Sequence, residues 1–138
     1  MNEPELIHSM LDTAKTIAVI GLSDNPGRPS HAVSAYMQQQ GYRILPVNPG
    51  LLPEPGTVLG ERVYASLTDL PQKPDLVNVF RVPAFLPAIV GEMLELGLSD
   101  LWVQQGIVNQ EAAARAEEGG IRVVMDRCLM VEHRRHKR

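Results

Sequence analysis

Thr16-Ile17-Ala18-Val19-Ile20-Gly21-Leu22-Ser23-Asp24-Asn25-Pro26-Gly27-Arg28-Pro29-Ser30 opens as an unbroken apolar, largely β-branched run and ends as a polar turn punctuated by glycine and proline. Five such residues stopping at a glycine form the pattern of a short strand buried on both faces. Ser30 is the expected N-cap of a helix over 31–40, where Ala32, Val33, Ala35, Tyr36 and Met37 supply an apolar face and Gly41 a stop. Arg43-Ile44-Leu45-Pro46-Val47 then reads as a second strand. Strand, loop, helix and strand within so few residues make a βαβ unit.

The same alternation recurs on the C-terminal side. Strands are expected over 75–80, 100–104 and 121–125, and helices over 83–96, closed by Gly97, and 109–118, closed by Gly119-Gly120. A short helix is expected at the start, over 5–11, with Pro4 in its first turn. Residues 48–74, rich in proline and glycine, read as an extended connection with a short edge strand at Arg62-Val63-Tyr64 and a turn of helix at 66–70. The whole is an α/β fold in three layers: an open, mainly parallel sheet with helices on both faces.

Length and composition fit one domain spanning residues 1–138, with 44% hydrophobic residues to fill a core. A formal charge of −3 gives no general attraction to nucleic acid or anionic membrane, and six aromatic residues are few for base stacking. The basic run at the end, centred on residues 134–138, is expected to be a frayed, solvated tail. No apolar run approaches the ~20 residues of a membrane span, and the acidic start is unlike a signal peptide, so the cytoplasm is the expected compartment.

In an open parallel sheet, ligands bind beyond the carboxyl ends of the strands, where the strand order reverses. The first such end carries Gly21, Leu22, Ser23, Asn25, Arg28, Pro29 and Ser30, and the helix start there directs unpaired N–H groups at the loop. An anion is the natural occupant, and the phosphate end of a nucleotide-like cofactor supplies one. The pattern G-x-G-x-x-G is broken at Ser23, and no carboxylate follows the second strand, which ends in Val47, Asn48 and Pro49; both points disfavour a dinucleotide. No Gly-Lys-Ser or Gly-Lys-Thr occurs, which excludes a P-loop. The later strand ends contribute Phe80, Arg81 and Val82, then Gln104 and Gly106; Arg28 and Arg81 are placed to meet phosphate with paired donors.

Catalytic groupings are thin. H-E-x-x-H, C-x-x-C and G-x-S-x-G are all missing, and four histidines gathered mostly near the ends make a poor metal site, so none is expected. His31 at a helix start suits a capping or neutral role better than general-base catalysis. Cys128, with Arg127 beside it, has some makings of a reactive thiol, but a lone cysteine is more often simply buried.

Taken together, 17–26 with Arg28-Pro29-Ser30, Gly41-Tyr42-Arg43 running into Pro46-Val47-Asn48-Pro49, Gly60-Glu61-Arg62-Val63-Tyr64, Val79-Phe80-Arg81-Val82-Pro83, Trp102-Val103-Gln104 through Asn109, and Val124 to Cys128 resemble the small bacterial CoA-binding domain proteins. That family is in turn similar to the N-terminal domain of the succinyl-CoA synthetase α subunit and to ADP-forming acyl-CoA synthetases. The resemblance implies a Rossmann-type fold with coenzyme A, or an acyl-CoA, across the carboxyl edge of the sheet. It implies that Gly21, Ser23, Asn25, Arg28, Pro29 and Ser30 meet the phosphates, while Val47-Asn48-Pro49 and Phe80-Arg81-Val82-Pro83 line the adenosine and pantetheine path. The synthetases carry their phosphorylated histidine and nucleotide grasp on further domains that these residues do not contain, so the expectation is binding, carriage or regulation without catalysis. An accessory subunit of an acyl-CoA ligase or transferase, and an NAD(P)-binding regulator, stand as alternatives. No protein partner or oligomeric state is legible in the chain.

Overall fold

The computed structural model describes residues 1–137. Its elements run α1 Glu3–Thr13, β1 Thr16–Ile20, α2 Pro29–Gln39, β2 Arg43–Val47, β3 Thr57–Val58, β4 Glu61–Arg62, β5 Leu76–Val79, α3 Leu86–Leu96, β6 Asp100–Val103, α4 Gln110–Glu118, β7 Arg122–Met125 and α5 Leu129–Lys137. Five strands form one parallel sheet in the order β2-β1-β5-β6-β7, and β3 and β4 form a separate antiparallel hairpin.

The alternation of side chains along each strand feeds two cores. Ala18, Ile20, Val77 and Val79 face α3 and α4, meeting Leu86, Ile89, Val90 and Met93 of α3 with Ala112 and Ala116 of α4. Ile17, Val19, Leu76 and Trp102 face the other way, onto Ile7, Met10 and Leu11 of α1, Val33 and Met37 of α2, and Leu129 of α5. The result is the three-layer, Rossmann-like α/β fold that the alternating pattern predicts. Among the described residues no helix is long and apolar enough to cross a membrane.

Local chemistry explains where the elements begin and end. Asn2 caps α1 by accepting a hydrogen bond from the Glu5 N–H at 2.9 Å, and Asn109 caps α4 by accepting from Ala112 at 3.0 Å. Gly97 closes α3 in the left-handed region with φ 71°. Pro83 and Pro87 split the expected helix over 83–96: a single 3-10 turn, Pro83–Phe85, precedes α3 proper.

Three expectations change. The N-cap of α2 is Arg28, with Pro29 in the first helical turn, so Ser30 lies inside the helix; proline fixes the helical φ one position earlier. The edge strand expected at 62–64 begins earlier and folds back on Thr57–Val58 through Leu59 and Gly60, leaving Tyr64 alone to bridge Val47 of β2. The basic run at the end is not a frayed tail: through Lys137 it continues α5, which packs on both α1 and α2, while Arg138 lies outside the described residues. His133 Nδ1 meets the Tyr36 hydroxyl at 2.8 Å, His136 Nε2 meets Asp12 at 2.7 Å while its ring stacks on His8, and Lys137 donates to Gln40 at 2.7 Å. A run dense in charge hides its helical signal because its polar partners lie on α1 and α2, far away in sequence.

Candidate functional site at the carboxyl edge

The strand order reverses at β1, whose neighbours β2 and β5 leave the sheet through loops at the same edge. That reversal is the crevice at which open parallel sheets bind their ligands. A cleft of about 400 Å³ lies there, lined by Gly21, Ser23, Arg28, Pro29, Ser30 and Phe80.

Its walls are fixed by short polar links. Gly21 holds φ +88°, a conformation costly for any other residue, and its N–H donates to the Val47 carbonyl at 2.9 Å, so the first loop leaves β1 pinned to the end of β2. Ser30 Oγ, turned back from the first turn of α2, accepts from the Ser23 N–H at 3.0 Å; Ser23 Oγ accepts from the Asn25 N–H at 3.0 Å; Asn25 Oδ1 accepts from the Gly27 N–H at 2.9 Å. Ser23 and Asn25 each substitute for a backbone turn partner, and Ser30 ties the loop back to the first turn of α2. Asn48 Nδ2 donates to the Leu22 carbonyl at 3.0 Å, and its Oδ1 accepts from the Gly50 N–H at 3.0 Å, joining the second loop to the first.

Two cations flank this frame. Arg28 is exposed at the N-cap of α2 with no side-chain capping bond. The Arg81 stem packs on Gly21, and its guanidinium lies 3.9 Å from the centre of the Phe85 ring. Among the described residues neither arginine forms an ion pair. A guanidinium offers paired donors to an anion, and the start of the eleven-residue helix α2, capped by Arg28, favours negative charge.

The expected site residues do not all reach the cleft. Gly21, Ser23, Arg28, Pro29, Ser30 and Phe80 line the cleft, with Asn25, Asn48 and Arg81 bracing it. Leu22 and Val47 turn their side chains into the core and offer only backbone, while Pro49 starts a 3-10 turn on the rim. Val82 is 59% exposed, outside the cleft. Gln104 and Gly106 follow β6, which β5 separates from β1: buried Gln104 accepts from the Leu129 N–H at 3.4 Å, and the Gly106 N–H donates to Asp126 at 2.7 Å. They brace the start of α5 and the turn after β7.

Neither His31 nor Cys128 lines the cleft; the Cys128 carbonyl instead accepts from the Glu132 N–H to open α5. No group of three or more potential metal ligands occurs among the described residues. Sequence reasoning missed the links made by Asn48 and by Asn109, whose Nδ2 donates to the Pro83 carbonyl at 3.2 Å. An asparagine preceding a proline turn or a helix carries a signal for capping, but not for a bond to a distant loop.

Comparison with known proteins places the chain in a family. A family model described as the CoA binding domain matches residues 15–134. The Bacillus subtilis protein YneT is 44% identical over 127 residues, covering 92% of this chain and 91% of YneT. The solved structure of cell-free ID.343 from Thermus thermophilus aligns at a TM-score of 0.91 with 45% identity, covering 99% of each chain. An Archaeoglobus fulgidus protein, acetate–CoA ligase [ADP-forming] II, is 28% identical over 106 residues; the match covers 75% of this chain and 15% of the ligase.

Proposed function

Because this chain belongs to the CoA-binding domain family, we propose that it binds coenzyme A, free or acylated, at the carboxyl edge of the sheet and serves as a binding, carrier or regulatory module with no catalytic step of its own. The observation that carries this reading is the cleft between the ends of β1 and β5, with the start of α2 and the unpaired Arg28 on one side and Arg81 beside Gly21 on the other. Coenzyme A brings a diphosphate and a 3′-phosphate, more negative charge than NAD, and Arg28 and Arg81, neither in an ion pair among the described residues, answer it. Asn48, where a dinucleotide site would place a carboxylate for the ribose, fits the same preference.

The test is calorimetry on the whole chain with CoA, NAD and ATP in competition. CoA binding tighter than either supports the proposal; no heat with CoA at millimolar ligand overturns it, and tighter NAD would make the protein a dinucleotide-binding regulator. A second reading, an accessory subunit of an acyl-CoA ligase, has the similarity to the Archaeoglobus ligase in its favour. Conversion of acyl-CoA, ADP and phosphate that appears only when this chain is mixed with a ligase lacking its own matching region would favour that reading.

A further inference from the structure

The described residues expose few large apolar side chains: Met1, Leu52, Val82, Phe85 and Val108. Three of these five belong to loops at the edge that carries the cleft. Val82 (59% exposed) and Phe85 (45%) follow β5, and Val108 (43%) lies between β6 and α4. The loops are tied by Asn109 Nδ2, which donates to the Pro83 carbonyl, so Val108 is held next to the segment bearing Val82 and Phe85. Arg81 makes this patch continuous with the cleft: its stem packs on Gly21 while its guanidinium covers one face of Phe85. In an acyl-CoA the pantetheine arm separates the acyl thioester from the phosphates, so a ligand whose phosphates engage the loop after β1 can run that arm past Arg81 and bring its acyl end to the apolar surface beyond.

We propose, on the reading that the cleft binds coenzyme A, that the ligand is an acyl-CoA with an aliphatic acyl group, and that Val82, Phe85 and Val108 receive the acyl chain. The chemistry is non-covalent, covering methylenes that water would otherwise surround. Free CoA offers this surface no apolar chain beyond its pantetheine arm, and an acetyl group only one methyl.

The experiment is calorimetry of the full chain with CoA, acetyl-CoA and hexanoyl-CoA. Hexanoyl-CoA is expected to bind about tenfold tighter than acetyl-CoA, four added methylenes each counted at less than half of full burial. Val108→Asn is expected to bring that ratio below about threefold, since it removes apolar surface where the chain lies, while the affinity for free CoA stays within about twofold. Equal affinity for the two acyl-CoAs, or a ratio that Val108→Asn leaves intact, overturns the acyl proposal and leaves CoA binding standing. A Val108→Asn change in sedimentation behaviour without a change in the ratio also overturns it and assigns the patch to contact between copies. Absence of heat with free CoA overturns the cofactor reading itself, and this proposal with it.

Discussion

A Cβ added to Gly21 would stand 3.0 Å from Cδ of Arg81 and 3.3 Å from the Phe80 carbonyl oxygen, on a backbone whose φ is +88°. The glycine is therefore needed twice, once for the turn and once for the approach of the arginine. Gly21→Ala is expected to cost about 1–3 kcal/mol of stability through strain at this backbone and to displace Arg81. Denaturant unfolding measures the first effect, and loss of CoA affinity beyond that of Arg81→Ala would show that the loop has moved as well. Wild-type stability in the variant would refute the account.

Arg28→Ala and Arg81→Ala are each expected to weaken CoA binding about tenfold, the loss of one charge-assisted contact to phosphate. Both losses should shrink as salt is raised, because exposed charge is screened. Titration at low and high ionic strength checks this, and a salt-independent loss from Arg28→Ala would point to a packing role.

Asn48 links the loops after β1 and β2 through the Leu22 carbonyl. Asn48→Ala removes that bond and the turn bond to Gly50 together, at about 1–2 kcal/mol. It is expected to lower CoA affinity although the change adds and removes no charge. Unchanged affinity with lowered stability would confine Asn48 to a scaffold role.

Acid should weaken the fold in two stages. Burial, reinforced by the charges of Lys137 and His136, holds His133 below its ordinary value of 6.5. The unfolded chain then takes up that proton first, so this contribution is complete above pH 6.5 and falls as pH drops towards the folded value. Burial alone would raise Asp75, but hydrogen bonds from the Lys15 and Thr16 N–H groups and the Thr16 hydroxyl, with the charge of Lys15, bring it below 3.8. Its contribution is present above pH 3.8 and lost as pH falls through the depressed value. Unfolding midpoints against pH, compared with the parent, should lose the first stage in His133→Phe and the second in Asp75→Asn.

Opposite the cleft, Arg122 Nη2 and Nε meet the two carboxylate oxygens of Asp100 at 2.7 and 2.8 Å, and Nη1 donates to Ser9 Oγ at 2.9 Å, joining β7, β6 and α1. Arg122→Met strands a carboxylate that is 6% exposed and is expected to cost about 3 kcal/mol. Adding Asp100→Ala should restore part of the loss. A single variant within about 1 kcal/mol of the parent would show the pair to be a surface decoration.

Periodicity revealed what local physics decides. Thr16–Ile20 and Arg43–Val47 match their expected bounds because apolar runs between glycine or proline stops have few other ways to be buried. The first loop was legible for the same reason: its glycines and short polar residues declare a turn at a strand end. Long-range relations were not legible. Nothing near Asn109 announces Pro83, and Ser30 looks like an N-cap until Pro29 sets the helix start one residue sooner. Leu22 sits in the loop by sequence and in the core by side chain, a division that only the packing of α2 and α5 over β1 decides.

The last helix gives the molecule an optical gauge. Trp102, the chain's single tryptophan, is fully buried beneath α5, with its indole N–H donating to the Arg127 carbonyl at 2.9 Å, just ahead of that helix. Its emission therefore reports whether α5 is seated. A truncation at Cys128, which the charge-rich end of the sequence makes tempting as a harmless trim, would uncover the indole and shift its fluorescence to the red before any other assay is run.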